Sequence, residues 1–268
     1  QTNVLQWVYN AYAPFLYSGA MMALVRGRAV SRSGSQDHSA GASVMQGLLT
    51  LAASAFPSTN DAARMKSMVK YLALADTFRN FTNNVPLQLI PATRQLMADS
   101  TILPRGELLG HWSFAGMDRA VHLRPGWGFA LSMSSSRIYN YESINSENLH
   151  GWFQGDGMTY LYNSDVGQFS DDFWPTVDPY RLPGTTVDTT PRTNASGQSY
   201  LSSKNWVGGA TLFTNGAAGR PPGARHHRRA PDGTGPGRSR TPLHRGRRRA
   251  GRAARAGGRV PRVLVLAR

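Results

Sequence analysis

The stretch DSTILPRGE, residues 99–107, separates two regions of the chain that have different hydrophobic patterns. Before it, two segments carry apolar residues at the 3.6-residue spacing of an amphipathic helix. Their faces comprise Val44, Gly47, Leu48, Leu51, Ala52 and Ala55 in the first segment and Met65, Met68, Val69, Leu72 and Ala75 in the second. After it, WGFALSM at residues 127–133 alternates large apolar residues with small ones, with Trp127, Phe129, Leu131 and Met133 on one face. That alternation is typical of a strand, so helices followed by strands predict an α+β multidomain protein.

The same patterns set the predicted domain boundaries. Residues 1–98 are predicted to be helical, and residues 99–108 form a linker. Residues 109–215 are predicted to be mostly β-structure with long loops, because the helical period disappears there. Residues 216–268 form a tail of different composition.

Local signals add detail to this outline. The apolar segment at residues 3–25 predicts a helix with a break at Pro14, which lacks a backbone donor. The sequence STND at residues 58–61 offers capping side chains for the second amphipathic helix. MTYLYN at residues 158–163 and KNWVGGATLF at residues 204–213 are predicted strands.

The net charge of +15 is concentrated in the tail. Residues 216–268 contain fifteen arginines, no lysine, no aromatic residue and a single acid, Asp232. Such a segment cannot bury a core, so it is predicted to be disordered. An arginine-rich arm that binds nucleic acid is one alternative. Arg, Gly, Ala, Pro and His without Lys is better explained by translation of a GC-rich gene out of frame, so we expect no nucleic-acid partner.

Several classes of protein lack their signature in this sequence. No run of eighteen apolar residues is present, so we expect no membrane span. The segment QTNVLQWVYNAY lacks the features of a signal peptide, and any export signal is expected to lie outside this chain. There is no cysteine for disulfides or thiolate metal sites, and no G-x-S-x-G, P-loop or dinucleotide motif. The histidines show no metal-ligand spacing, so no metal or cofactor is predicted.

The stretch NYESINSENLHGWFQGDGMTYLYN, residues 140–163, combines carboxylates, amides and aromatic rings. Paired carboxylates there could perform acid–base catalysis on a glycosidic bond. The amides could bind hydroxyl groups and the rings could stack on sugars. The alternative is a set of polar loop residues that form turns. The candidates are the acids Glu142, Glu147, Asp156 and Asp165, the amides Asn140, Asn145 and Asn148, and the rings Trp152, Phe153, Tyr160 and Tyr162.

A second candidate site is the arginine-rich sequence RGRAVSR at residues 26–32. On a helix end, Arg28 and Arg32 would lie four residues apart and share one face. Two guanidinium groups on one face repel each other unless an anion lies between them, and arginine suits carboxylates or sulfates. The alternative is a pair of exposed basic residues near a helix C-terminus, where the helix dipole favours positive charge.

Long motifs in both regions resemble polysaccharide lyase family 8, which includes hyaluronate, chondroitin AC and xanthan lyases. They are MDRAVH, SMSSSRIYNYESINSENLHGW, GDGMTYLYN and FWPTVDPYRLPGTT within residues 117–188, and GAMMALVRGRAVSR at residues 19–32. The resemblance covers residues 1–215 and stops at the tail. It implies a secreted bacterial enzyme that cleaves acidic polysaccharides by β-elimination without metal or organic cofactor, expected here to be a monomer. It also implies the C-terminal part of an incomplete α/α toroid followed by the start of an antiparallel β-sandwich.

In that family, an Asn, a His and a Tyr that precede the two arginines carry the central chemistry. The Asn neutralises the sugar carboxylate so that the C5 proton becomes acidic, and the Tyr removes that proton. These three residues have no counterpart in this chain, so the chain alone is expected to be an inactive fragment. The open alternatives are a sugar-binding remnant and a glycoside hydrolase that uses paired carboxylates.

The resemblance does assign supporting residues. Arg28 and Arg32 match the family's two arginines, which contact substrate near the cleaved bond. Glu142 and Asn145 match the Glu and Asn that the β-domain contributes to the cleft. A carboxylate at Glu142 would orient the guanidinium of Arg28 through an ion pair between the two domains. The aromatic residues that follow are expected mainly to pack the sheet.

Overall fold

The computed structural model describes residues 2–32, 34, 36–55, 59–170, 172–185, 187–188 and 190–197. The helices are α1 Thr2–Tyr12, α2 Gln36–Thr50, α3 Asn60–Ala75, α4 Ile90–Ala98 and α5 Phe173–Thr176. The strands are β1 Leu16–Tyr17, β2 Ala20–Met21, β3 Gly110–Phe114, β4 Arg119–Arg124, β5 Trp127–Met133 and β6 Asp156–Tyr162. We call residues 2–98 the helical part and residues 110–197 the sheet part. A helical region followed by an antiparallel sheet agrees with the sequence prediction, whereas the predicted strand at residues 204–213 and the tail lie outside the described residues.

The predicted first helix is correct only up to its break. Helix α1 ends at Tyr12, and Pro14 lies in a short 3₁₀ turn, Ala13–Phe15. The chain then forms the hairpin β1–β2 instead of continuing as a helix. Ser18 and Gly19 form its two-residue turn with φ of 44° and 87°. Positive φ at both turn positions matches the twist of an antiparallel hairpin, and this preference overrides the apolar composition of the segment.

Helices α2 and α3 pack their apolar faces into one core. On α3 the predicted residues Met65, Met68, Val69 and Leu72 are buried, and Thr59 caps the helix by accepting a hydrogen bond from the Ala62 amide at 3.0 Å. On α2 and the π-helical turn Leu51–Ala55 that follows it, the predicted face is displaced. Gly47 is exposed there, and Val44 and Leu51 are only partly buried. The buried residues are Ala42, Met45, Leu48, Leu49 and Ala52.

The four-stranded sheet is antiparallel in the order β3-β4-β5-β6. Strands β5 and β6 confirm the predicted strands, and Trp127, Phe129 and Leu131 do alternate with the other residues of β5. The core, however, lies mostly on the opposite face of β5, where Ala130 is fully buried. Trp127 is 38% exposed and Phe129 and Leu131 are only partly buried, so these three residues of the predicted face point away from this core. The fourth, Met133, is buried, and it follows a bulge in the pairing of β5 with β6.

One apolar cluster joins the helical part to the sheet part, and all described residues lie in a single compact unit. Met22, Leu24 and Val30 from residues 19–32 pack against the buried face of the sheet. The Tyr162 hydroxyl accepts a hydrogen bond from the Ala23 amide at 2.8 Å. This packing fixes the position of the arginines that follow Leu24.

A second, polar junction between the two parts is fully buried and centres on His38 of α2. Its Nδ1 lies 2.9 Å from Oδ2 of Asp76, and its Nε2 lies 2.8 Å from the carbonyl oxygen of Val166. Ser170 donates to Oδ1 of the neighbouring Asp37. Because both ring nitrogens of His38 face acceptors, the ring is best satisfied when it carries two protons.

Candidate functional site

The candidate site forms where the turn that carries Arg28 meets a loop of the sheet part. Arg28 lies in the 3₁₀ turn Gly27–Ser31, directly after the apolar residues that anchor the segment to the sheet. Its Nη1 donates to Oε1 of Glu142 at 2.8 Å, and its backbone amide donates to Oε2 at 2.9 Å. The predicted ion pair between Arg28 and Glu142 is therefore present. It joins residues that are 114 positions apart in the sequence.

Gly27 permits this close approach. Its φ is 55°, in the left-handed region that side chains disfavour. A Cβ at this position would overlap Oε2 of Glu142. A residue larger than glycine would therefore push the carboxylate away from the Arg28 amide.

Arg32 reaches the same loop through a different carboxylate. It donates from Nε to Oε1 of Glu147 at 2.6 Å and from Nη2 to Oε2 at 3.0 Å. Arg28 also donates from Nε to Oε2 of Glu147 at 2.6 Å. Arg28 and Arg32 are not on one face of an α-helix end, because the turn is 3₁₀ and Arg32 is extended with ψ of 148°. They nevertheless converge, because Glu147 provides the anion between them.

Glu147 is among the carboxylates that the sequence predicts as candidates, but its pairing with both arginines is not predicted. The signal was available, because two like charges held together need a counter-ion and the stretch that supplies Glu142 contains a second nearby acid. The choice between Glu147 and a substrate anion depends on contacts between residues more than 110 positions apart. A local pattern does not contain that information.

The acidic loop, residues 142–148, is fixed by its own hydrogen bonds. The Asn148 side chain donates to the Glu142 carbonyl at 2.9 Å and exchanges hydrogen bonds with Gln154. The Ser143 hydroxyl donates to the Glu147 carbonyl at 2.9 Å. The Asn148 amide donates to the Ser31 hydroxyl at 2.8 Å, which ties the loop to the turn that carries Arg28. These hydrogen bonds therefore hold in place the backbone that carries both carboxylates.

Asn145 lies in the same loop but does not join the ion pairs. It is exposed, with φ of 56°, a conformation that asparagine tolerates better than most residues. Within the described part of the chain, its side chain has no hydrogen-bond partner. The structure therefore brings Arg28, Arg32 and Glu142 together and places Asn145 beside them with its amide unengaged.

The site contains two positive and two negative side chains, so its net charge is close to zero. The hydrogen bond from Arg32, with support from Arg28, lowers the pKa of Glu147. The hydrogen bond to Glu147 in turn raises the pKa of Arg32. The side chains are partly exposed, from 25% for Glu147 to 51% for Glu142. Glu147 thus stays ionised, and an approaching anion meets a cluster close to neutral.

Asp156 and the rings of residues 140–163 serve the fold. Asp156 accepts a hydrogen bond from the Asn140 side chain at 2.7 Å, and burial raises its pKa. Asp165, two residues beyond this stretch, is exposed, and the carboxylates that pair with Arg28 and Arg32 are those of Glu142 and Glu147. The rings that could have stacked on sugars are instead buried, which confirms that they pack the sheet. They are Trp152, Phe153, Tyr160 and Tyr162.

A cavity of about 440 Å³ opens beside Gly27 and Glu142. Its walls are mostly apolar, and its polar residues include Arg119, Arg137 and Asn140. Asn140 is buried, and its Oδ1 has no hydrogen-bond partner among the described residues.

In the described part of the chain, no three His, Asp or Glu side chains are placed to hold one metal ion. The same residues include no helix long and apolar enough to cross a membrane.

Two sequence models of one family match the chain. The polysaccharide lyase family 8 N-terminal alpha-helical domain matches residues 1–71, and the super-sandwich domain of the same family matches residues 109–221. Together the two matches cover more than half of the chain.

Characterised relatives agree with these matches. The xanthan lyase of Bacillus sp. (strain GL1) is 47% identical over 187 residues, which are 70% of this chain and 20% of the relative. The hyaluronate lyase of Thermasporomyces composti is 40% identical over 208 residues, 76% of this chain and 26% of the relative. The chain thus spans about a fifth to a quarter of these relatives.

Solved structures show the same fold. The Paenibacillus xanthan lyase structure superposes with a TM-score of 0.70 at 52% identity, covering 79% of this chain and 20% of that protein. A Streptomyces coelicolor A3 chondroitin AC lyase, solved in complex with chondroitin sulphate, gives a TM-score of 0.71 at 34% identity. That comparison covers 79% of this chain and 30% of the other.

Proposed function

Because the chain belongs to polysaccharide lyase family 8, we propose that it forms part of an enzyme that cleaves acidic polysaccharides by β-elimination. Substrates of the hyaluronan, chondroitin or xanthan type follow from the lyases that it resembles. The observation that carries the proposal is the ion-pair network of Arg28, Arg32, Glu142 and Glu147 at the junction of the helical and sheet parts.

The chemistry of elimination explains why such a network is useful. Removing the proton next to a sugar carboxylate builds negative charge on that sugar, and fixed donors aimed at it lower the barrier. In this proposal, Arg28 and Arg32 contact the acidic sugar near the cleaved bond. Glu142 orients the guanidinium of Arg28, and Asn145 offers its free amide to a sugar hydroxyl.

We also propose that this chain alone binds substrate without cleaving it. The family's Asn, His and Tyr are matched to no residue of the chain, so it supplies neither the amide that makes the C5 proton acidic nor the base that removes this proton. Loss of general base assistance alone typically reduces a rate about a hundred- to ten-thousandfold. The relevant measurement is the ultraviolet absorbance of the unsaturated product after incubation with each polysaccharide. A rate near that of a complete lyase would refute this part of the proposal.

Binding provides the positive test of function. Isothermal titration of the full chain with oligosaccharides of hyaluronan, chondroitin and xanthan should show binding to at least one of them. A neutral cellulose oligosaccharide serves as the control, because it lacks the carboxylate that the arginines would contact. Substituting both Arg28 and Arg32 by Ala should abolish binding. Equal affinity for neutral and acidic oligosaccharides would contradict the proposal.

A glycoside hydrolase is the second candidate, and the site disfavours it. Hydrolysis needs one carboxylic acid that keeps its proton near neutral pH. Glu142 is paired with Arg28, and the pKa of Glu147 is lowered. The products separate the two reactions, since hydrolysis creates no ultraviolet-absorbing double bond. A sugar-binding remnant would bind yet stay inactive even when the missing segment of a complete lyase is restored.

We further propose an extracellular location, because an enzyme of this class meets long polysaccharides outside the cell. Detection of the protein in the culture medium of its source organism would test that location, and retention inside intact cells would contradict it.

A further inference from the structure

We infer that Glu147 is a positioning residue that fixes both arginines and leaves one terminal nitrogen of each for the carboxylate of the substrate. The inference rests on the proposed function, since it concerns how the same site holds an acidic sugar. It assigns a specific task to a second carboxylate, beside that of Glu142, which contacts both arginines.

The donors of the two guanidinium groups are divided in a consistent way. Arg28 uses Nε on Glu147 and Nη1 on Glu142. Arg32 uses Nε and Nη2 on Glu147. Nη2 of Arg28 and Nη1 of Arg32 have no hydrogen-bond partner in the described part of the chain. One terminal nitrogen therefore remains on each arginine, and a carboxylate has two oxygens to receive them.

Glu147 can hold this arrangement because its own position is fixed. Its backbone amide donates to the Ile144 carbonyl at 3.1 Å, and its carbonyl accepts from Ser143. The backbone amide of the next residue, Asn148, donates to the hydroxyl of Ser31 in the 3₁₀ turn. The loop is therefore closed by its own hydrogen bonds at Glu147 and is bonded to the turn at the next residue. With its side chain only 25% exposed, Glu147 has little freedom to leave the arginines.

The balance of charge decides how the site recognises an anion. Two arginines without Glu147 would attract any anion from a distance, whereas the observed cluster of two cations and two anions has little long-range field. Recognition then depends on directed hydrogen bonds from the two remaining nitrogens. This geometry favours a carboxylate that receives one donor from each arginine, and it disfavours non-specific attraction of polyanions.

The direction in which one substitution changes the affinity for acidic oligosaccharides distinguishes positioning from simple charge neutralisation. Glu147→Gln removes a negative charge from the site. If Glu147 only neutralised charge, the variant would bind acidic oligosaccharides more tightly. If Glu147 positions the arginines, the variant should bind about tenfold more weakly, as expected for the loss of about one charge-assisted hydrogen bond.

The experiment combines titration calorimetry with NMR of the arginine Nε–Hε groups, using the full chain and a hyaluronan tetrasaccharide. In Glu147→Gln, the Nε–Hε resonances of both Arg28 and Arg32 should shift and exchange faster with water. The matched control Glu142→Gln should leave the Nε–Hε resonance of Arg32 unchanged. Glu147→Asp, which keeps the charge, should restore part of the affinity and also serves if the Gln variant folds poorly.

Unchanged Nε–Hε resonances in Glu147→Gln, or an affinity equal to or above that of the original chain, would overturn the inference. If the original chain binds no acidic oligosaccharide, xanthan and chondroitin included, the proposed function fails. The NMR comparison then decides the positioning role by itself, since it needs no ligand.

Discussion

Two polar junctions connect the helical part to the sheet part, and they differ in exposure. At one, His38 is fully buried between Asp76 and the Val166 carbonyl. At the other, Arg28 and Glu147 form a partly exposed ionic network with their neighbours. Breaking a buried pair leaves a polar group without water or a partner, whereas exposed ion pairs contribute little to stability. We therefore expect the buried junction to contribute more to stability, whereas the side chains of the exposed junction are open to solvent.

The largest expected effect is on stability at the buried junction. His38→Ala removes a partner from both Asp76 and Val166 and should lower the free energy of unfolding by about 3–5 kcal/mol. Denaturant unfolding monitored by circular dichroism would measure it. His150→Ala is the matched control, because His150 is exposed and should change stability by less than about 0.5 kcal/mol. Equal losses of stability in the two variants would contradict the structural role assigned to His38 at the buried junction.

The buried junction should also make stability depend on pH. Burial opposes the charge of His38, but its hydrogen bonds to Asp76 and Val166 and the nearby carboxylate of Asp37 raise its pKa overall. A raised folded-state pKa adds stability that is complete below the unfolded value of about 6.5 and is lost as pH rises through the folded value. Unfolding measured across this range should therefore show stability falling with pH. His38→Gln should flatten the dependence, and an unchanged profile in that variant would contradict the assignment.

A smaller effect is expected from Gly27→Ala, on binding. The new methyl group would displace Glu142 from Arg28, so affinity for an acidic oligosaccharide should fall about tenfold. Gly34→Ala is a matched control, because Gly34 also has a positive φ, of 81°, but a Cβ there would meet nothing within 4 Å. Both variants carry backbone strain, and only Gly27→Ala disturbs the ion pair. Similar losses of affinity in both would show that strain alone is responsible.

The smallest effect is expected from Arg32→Gln on stability. Arg32 is 45% exposed, so the loss of its pair with Glu147 should cost less than about 1 kcal/mol. The same substitution should clearly weaken binding of acidic oligosaccharides. Thermal unfolding and calorimetry on one preparation measure both. A large loss of stability without a loss of affinity would make this junction structural like the first.

The sequence predicted those features that depend on neighbouring residues. The order of helices and strands, the strand at residues 127–133 and the buried face of α3 follow from periodicity. The buried face of α2 differs from the predicted one because apolar residues such as Val44 and Met45 lie around much of that helix. Which of them are buried depends on the elements that pack against α2. The hairpin turn at Gly19 was missed because the apolar run around it resembles a helix.

The site was predictable only in part, for a related reason. The family resemblance led to Arg28 and Glu142, and the structure pairs them. The bridging position of Glu147 and the buried contacts of His38 join residues more than 35 positions apart, so no local spacing encodes them. Such contacts depend on how the two parts pack.

The most direct test of the pairing between Arg28 and Glu142 is a double-mutant cycle in a complete family 8 lyase that carries residues 1–197 of this chain. Arg28→Ala, Glu142→Ala and the double variant are compared by kcat/KM on the preferred acidic polysaccharide. Because each substitution removes the partner of the other, the two losses should combine to far less than their sum in free energy. Independent, additive losses would contradict the claim that Arg28 and Glu142 act as one unit across the exposed junction.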